Sequence, residues 1–195
     1  MRPLPRSFYE RDTVTVARDL LGKTLRHGER SARIVEVEAY LGDNDPAAHS
    51  YRGLTDRTRV LFGPGGYAYV YLIYGLHYCL NVSAEPDGVP GCVLIRGVEG
   101  VSGPGRVTRH FGISLGHYGA DLTRGPLTIL DGPAPARIGV TARIGIAKAT
   151  DLPLRFVCSG NDSRTGTGGP SQLLEMGDGF AAGGGGGART RRNRA

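Results

Sequence analysis

The sequence lacks the residues that would place it in several common classes of protein. Its 195 residues include no tryptophan, two methionines and three cysteines. An iron–sulfur cluster usually takes four cysteine ligands, and neither a CxxC nor an HExxH motif occurs, so we expect no metal site. The three cysteines lie in apolar stretches, which is typical of buried thiols in a reduced protein.

Long apolar runs and cofactor motifs are also missing. No stretch approaches the roughly 20 residues that a membrane helix needs, and residues 1–12 contain no apolar core of a secretion signal. We therefore expect a cytoplasmic protein with no membrane partner. The Gly-rich segments 63–66 and 102–106 match neither a Walker loop nor a GxGxxG motif after a strand. The sequence thus predicts no nucleotide cofactor.

Lysine is scarce, yet the chain is basic. The sequence has 24 basic and 18 acidic residues, a formal charge of +6 and a pI near 9.5. All basic residues except Lys23 and Lys148 are arginines. An excess of positive charge favours a polyanionic partner, although part of the charge lies in the last residues of the chain.

The order of predicted elements is typical of a single α+β domain. A short helix is predicted over 12–21, and a Gly-rich turn leads into another over 102–113. Strand-like segments are predicted at 23–27, 31–41, 67–74, 77–83, 92–98, 127–131 and 153–158. The segments RIGV and RIGI, at 137–140 and 143–146, resemble each other but are too short to indicate a repeat architecture. We predict a domain over 1–159 and a flexible Gly/Arg-rich tail over 160–195.

Two glutamates share one face of the predicted strand 31–41. Side chains alternate along a strand, so Glu36, Glu38 and Tyr40 point one way while the valines between them point the other. An amphipathic strand with its glutamates in water explains this pattern. A strand that ends in an aromatic residue and a glycine also suits the rim of a pocket, where a desolvated glutamate can act as a base on water.

A loop after this strand combines one histidine with several arginines. His49 fits either a structural role or a binding role. Arg52, Arg57 and Arg59 follow it in a segment too polar for the core, and they are predicted to contact phosphates beside a site.

Five of the nine tyrosines fall in a predicted hairpin, at 67, 69, 71, 74 and 78. A tyrosine stripe on a strand is commonly core or cross-strand packing. Tyr74 and Leu76, however, flank Gly75 at the predicted turn, where there is little core to enter, and such a tip fits a wedge between base steps. Rings, a carboxylate and positive charge together can hold a flat heterocycle extruded from a nucleic acid.

Long segments of the sequence closely resemble the alkyladenine (3-methyladenine, methylpurine) DNA glycosylase family. The resemblance runs in order from about Val14 to Phe156. The segments that carry it are VEVEAYLGDNDPAAHSYRG, FGPGGYAYVYLIYGLHYCLNVS, CVLIRGVEG, SGPGRVTRHFGI and ARIGIAKATDLPLRF. Leu76 stands where a methionine is common in the family, and the sequence after Phe156 keeps little of the usual ending.

The resemblance implies a fold and an activity. The fold would be a single α+β domain with a strongly curved antiparallel or mixed sheet, flanking helices and a protruding hairpin that enters the DNA minor groove. The protein would be a monomeric, monofunctional base-excision-repair enzyme acting on double-stranded DNA with damaged purines. It would flip alkylated or deaminated purines out of the duplex and hydrolyse the N-glycosidic bond, leaving an abasic site. The substrates would be 3-methyladenine, 7-methylguanine, hypoxanthine and ethenoadenine.

The resemblance also implies roles for individual residues. Glu38 would be the general base, helped by Arg96 and by the main-chain carbonyl of Ile144 in holding the water. Tyr40, His49 and Tyr71 would enclose the flipped base and Asn81 would line the pocket floor. Tyr74 and Leu76 would enter the DNA stack. The residues implied to contact the DNA backbone are Arg52, Arg57, Arg59 and Arg106.

Two alternatives stay open at this point. A catalytically inactive module that binds damaged DNA or RNA would keep the fold without needing a desolvated acid beside Arg96. A glycosylase with lyase activity would need an amine to form a Schiff base. Lys23 and Lys148 fall outside the matching active-site motifs, which favours hydrolysis by water.

Overall fold

Nine strands, joined through antiparallel pairs, form the framework that carries the site. The computed structural model describes residues 1–159, and the predicted tail at 160–195 lies outside them. The strands are β1 Thr24–His27, β2 Arg30–Tyr40, β3 Ala68–Ile73, β4 His77–Ser83, β5 Cys92–Val98, β6 Val101–Ser102, β7 Leu127–Leu130, β8 Arg137–Thr141 and β9 Arg155–Ser159. The main order is β3-β4-β5-β2-β1-β7, with β6 on β5 and the β8–β9 pair on β2.

The long strand β2 lies at the centre of this strongly curled sheet. Its first half pairs with β1, its second half pairs with β9, and β5 runs along the opposite edge. A register shift between Ile34 and Val37 bends the strand where these partners change. Val37 and Ala39 enter the main hydrophobic core, so the alternating glutamates point to the other face.

Three α-helices and several 3-10 turns cover the sheet. The helices are α1 Arg6–Tyr9, α2 Thr13–Leu20 and α3 Pro104–Phe111. The 3-10 turns are Gly42–Asn44, His49–Arg52, Arg59–Phe62 and Leu115–His117. Helix α2 begins where predicted, because the Asp12 carboxylate accepts a hydrogen bond from the Thr15 amide at 2.8 Å. Its inner face packs on the sheet through the buried residues Val16, Ala17 and Leu20.

The predicted α+β class and the single curved sheet are confirmed, and most predicted strands differ by one or two residues at their ends. Every strand pair within residues 1–159 is antiparallel, so no mixed sheet occurs there. Strand β8 was missed, because RIGV is short, contains a glycine and is only partly buried. Its pairing with β9 makes it a strand, and that partner is distant in sequence. None of the helices among the described residues has the length and apolar character of a membrane span.

Candidate active site

A pocket of about 990 Å³ opens between four parts of the fold. These are the end of β2 with its following loop, the β3–β4 hairpin with the neighbouring strand β5, the N-terminus of α3 and the segment after β8. Its aromatic lining consists of Tyr40, His49, Tyr69, Tyr71, Tyr74 and His77. A pocket of this size with ring-rich walls can hold a planar heterocycle.

The carboxylate of Glu38 lies directly behind this pocket and is fully buried. One oxygen, Oε2, accepts a hydrogen bond from the Tyr40 hydroxyl at 2.9 Å, and Oε1 accepts one from the Ile144 amide at 2.8 Å. Arg96 Nε lies 3.4 Å from Oε1. Tyr40, Arg96 and Ile144 all line the pocket, so three groups that contact the carboxylate also border the cavity. A water-facing role for Glu38 on the strand surface is therefore wrong.

Glu36, on the same face, anchors the arginine. Its Oε1 accepts hydrogen bonds from Arg96 Nε at 3.0 Å and from Arg155 Nε at 2.8 Å. Both glutamates are sequestered from water, with side-chain exposures of 12% and 0%. The sequence pattern showed that Glu36 and Glu38 share a face. It did not reveal the part of Arg155, because that residue comes from β9, more than a hundred positions away.

His49 and Tyr71 form one wall of the pocket together. Their ring centroids are 4.7 Å apart with planes at 75°, an edge-to-face contact. A ring inserted between two others needs about 7 Å, or two van der Waals contacts, so no base fits between this pair. Tyr40 also lines the pocket. Burial and the neighbouring Glu38 raise the pKa of the Tyr40 phenol, which stays protonated.

The orientation of His49 is set by hydrogen bonding. Its Nδ1 lies 2.8 Å from the hydroxyl of the buried Tyr69, and no residue within 1–159 hydrogen-bonds its Nε2. Burial of the ring edge against the pocket wall and the charge of Arg57 lower the pKa of His49 to about 4. The ring is therefore neutral at neutral pH, even though the residue as a whole is exposed.

Asn81 lies in the pocket lining with its amide held in place. Its Nδ2 donates to the Tyr69 carbonyl at 3.1 Å, and its Oδ1 lies 3.9 Å from the Cys92 thiol. The side chain is buried, and both contacts restrict its rotation. Burial raises the pKa of Cys92 to about 12, so this thiol remains neutral.

The tip of the hairpin is exposed and has strained backbone. Tyr74 and Leu76 are 82% and 77% exposed, so neither belongs to the core. Tyr74 and Gly75 have φ of +52° and +67°, the pattern of a type I′ turn. A tyrosine in the left-handed region costs about 1–2 kcal/mol, and such strain is concentrated at functional positions.

The four predicted phosphate-contacting arginines are all exposed, but they differ in their surroundings. Arg59 pairs with Asp56 at 3.3 Å, while the Arg57 guanidinium lies 5.3 Å from the centre of the Tyr71 ring. Two further cationic residues that the sequence pattern did not predict as site residues also line the pocket, Arg109 and Lys148. Lys148 thus lines the pocket although it falls outside the matching active-site motifs.

A buried ion pair behind the pocket was also missed. Arg143 makes a bidentate contact with Asp45, with Nη2 2.8 Å from Oδ1 and Nη1 hydrogen-bonded to Oδ2, and both side chains are fully buried. Burial alone would raise the pKa of Asp45, but hydrogen bonds from Arg143 and the Ala47 amide outweigh it and hold that pKa below its usual range. No local pattern marked either residue, because the partners are 98 positions apart.

This arrangement defines a class of protein. A ring-walled pocket, a sequestered carboxylate, an exposed aromatic tip and surrounding cations suit an enzyme that works on a base removed from a nucleic acid. Comparison with known proteins narrows the class. The chain belongs to the methylpurine-DNA glycosylase (MPG) family, whose model matches residues 7–102 and 99–162.

Relatives over most of the chain carry a consistent name, "Putative 3-methyladenine DNA glycosylase". The relative from Methanoculleus marisnigri is 50% identical over 186 residues, covering 81% of this chain and 96% of its own. That from Legionella pneumophila is 48% identical over 177 residues, covering 83% and 97%. That from Rickettsia rickettsii is 45% identical over 163 residues, covering 80% and 89%. These relatives support a DNA glycosylase role for this chain.

Proposed function

We propose that this protein excises damaged purines from duplex DNA by hydrolysing the N-glycosidic bond. The single observation that carries the proposal is the fully buried Glu38, held by three groups that also line a ring-walled pocket. The substrates would be alkylated or deaminated purines: 3-methyladenine, 7-methylguanine, hypoxanthine and ethenoadenine.

Extrusion of the base would depend on the hairpin tip. Flipping costs a few kcal/mol of lost stacking and pairing. Tyr74 and Leu76 would enter the minor groove and fill the vacated place, which offsets part of that cost. Their exposure and the left-handed backbone of Tyr74 support this role, because neither feature contributes to packing of the free protein. Arg52, Arg57, Arg59 and Arg106 would hold the flanking phosphates.

The extruded purine would lie between Tyr40 on one side and His49 with Tyr71 on the other. A purine alkylated at N3 or N7 is cationic, and electron-rich ring faces attract it by about 1–2 kcal/mol when desolvated. A neutral His49 adds no repulsion toward such a base, and its free Nε2 can form a hydrogen bond to it. Asn81, restrained on the pocket floor, would clash with the exocyclic amine of a guanine-type base, so 7-methylguanine would fit less well than 3-methyladenine and would depend on its positive charge for excision.

Cleavage would then use a water molecule next to Glu38. The carboxylate takes a proton from the water while the water oxygen bonds to C1′ of the sugar. The C1′–N bond breaks, and its electrons pass to the purine. The negative charge of Glu38 also stabilises the oxocarbenium-like transition state. The Ile144 carbonyl and Arg96 would hold the water. Arg96 Nη1 lies 3.5 Å from that carbonyl, which supports this placement.

A gel assay tests the proposal. Duplexes that each contain one defined lesion are incubated with the protein, and abasic sites are then cleaved with alkali. Strand cleavage at the lesion, absent with the undamaged duplex, is the expected result. Binding of lesion DNA without any cleavage would instead support an inactive binding module of the same fold.

A further inference from the structure

The buried pair of Asp45 and Arg143 contacts two segments of the proposed site at once. Asp45 accepts hydrogen bonds from the amides of Leu41 and Ala47, at 3.2 and 3.0 Å, which shape the loop leading to His49. Arg143 donates to the Ala39 carbonyl at 2.9 Å, at the end of β2 between Glu38 and Tyr40. The pair therefore ties that loop to the strand.

Arg143 also supports the pocket wall from behind. Its guanidinium carbon lies 4.7 Å from the centre of the Tyr40 ring. Tyr40 lines the pocket while the Arg143 side chain is fully buried and does not, so the cation covers the ring face that is turned away from the cavity. The next residue along the chain is Ile144, whose amide binds Glu38.

We propose that Asp45 and Arg143 position the catalytic apparatus, by fixing the Tyr40 ring and holding the Ile144 amide against Glu38. The inference rests on the proposed function. Asp45 and Arg143 would act by positioning Tyr40 and Ile144 and would not touch the substrate themselves. A planar guanidinium suits this task, because it can form two parallel bonds to a carboxylate, bond a carbonyl and stack on a ring at the same time. Lysine can supply the charge but cannot make this set of contacts.

Three variants separate positioning from simple stability. Arg143→Lys keeps the charge near Asp45. The double variant Asp45→Asn with Arg143→Met leaves no unpaired buried charge, which protects the fold. Arg6→Met is the matched control, because Arg6 also pairs with an aspartate, Asp121 at 2.8 Å, and also stacks on a tyrosine, Tyr67 at 4.2 Å. Neither Arg6 nor Tyr67 lines the pocket.

Single-turnover excision is measured with enzyme in excess over a duplex with one lesion, together with binding to undamaged duplex and urea unfolding. We expect Arg143→Lys and the double variant to excise about 100-fold more slowly, the loss that a misplacement of about 1 Å causes. Binding to undamaged duplex should be unchanged, and Arg6→Met should keep the wild-type rate. With ethenoadenine as the lesion, the fluorescence of the bound duplex should also differ from wild type in the two site variants. The flipped base would then contact a Tyr40 ring that is less firmly held in place.

Several results would overturn the inference. Rates for both site variants within about threefold of wild type would show that the pair does not position the site. An equal loss of rate in Arg6→Met would assign the effect to global stability. If the wild-type protein excises none of the lesions, the proposed function fails. The fluorescence of the bound duplex then decides whether the pair shapes the pocket, with an unchanged signal counting against it.

Discussion

Replacing Glu38 by glutamine tests the proposed mechanism most directly. Glutamine is nearly isosteric, so its carbonyl can still accept from the Ile144 amide while its NH₂ group donates to the Tyr40 hydroxyl. Arg96 keeps a counterion in Glu36 at 3.0 Å. The lost charge-assisted bonds are worth about 1.5–3 kcal/mol each, and the removal of a buried charge offsets part of this loss. We therefore expect a folded protein that still binds lesion DNA.

The rate of excision should fall far more than the stability. A general base contributes about 10²–10⁴ in rate, which is about 2.7–5.4 kcal/mol of transition-state stabilisation. The amide of glutamine cannot accept the proton, and it carries no charge to stabilise the developing oxocarbenium ion. Single-turnover excision of hypoxanthine and of 7-methylguanine, with enzyme in excess, measures the loss independently of affinity.

Glu36→Gln is the matched control for this experiment. Glu36 shares the strand face and holds Arg96, but no hydrogen bond joins it to Tyr40 or to Ile144 within the described residues. Its substitution should therefore slow excision less than that of Glu38. A rate for Glu38→Gln within about threefold of wild type would remove Glu38 from the mechanism. A greater loss in Glu36→Gln than in Glu38→Gln would mean that the orientation of Arg96, rather than a base, limits the reaction.

Three further predictions concern other parts of the site. Tyr74→Ala should leave the melting temperature nearly unchanged, because the ring is 82% exposed, yet it should slow excision most for a lesion in a matched pair, where flipping costs most; a large drop in melting temperature with equal losses on matched and mismatched duplexes would contradict this. An NMR titration of His49 should give a midpoint near the pKa of about 4, and Arg57→Met should move it upward. Since the unfolded chain takes up this proton at about pH 6.5, wild type should lose stability relative to His49→Phe as the pH falls from about 6.5 to 4, and a constant difference would be evidence against the shift. Borohydride added during excision should trap no covalent protein–DNA adduct, because in the proposed mechanism water rather than Lys148 attacks the sugar. An adduct that disappears in Lys148→Arg would establish a lyase step.

Local features of this protein could be predicted from its sequence because they depend on neighbours along the chain. The start of α2 follows from one capping side chain, Asp12, and the exposed tip follows from a turn between two β-prone segments. The shared face of Glu36 and Glu38 follows from strand alternation. The resemblance of long segments to a known family then identified the pocket residues Tyr40, His49, Tyr71 and Asn81 as a group.

The tertiary structure alone decided which of these groups touch and which are buried. Glu38 is desolvated because Tyr40, Arg96 and Ile144 converge on it from three segments, and strand periodicity fits a solvated glutamate equally well. The edge-to-face contact of His49 with Tyr71 likewise fixes which rings form a common wall.

The placement of charged side chains could be predicted least from the sequence. Arg155 pairs with Glu36, Arg143 pairs with Asp45, and Lys148 lines the pocket, although no spacing in the sequence relates any of them to the site. Backbone propensity and side-chain alternation act over a few residues, so their effects can be predicted from short stretches of sequence. A buried charge gains its partner only when folding of the sheet brings distant segments together. Its role therefore depends on tertiary packing and cannot be predicted from the local sequence pattern.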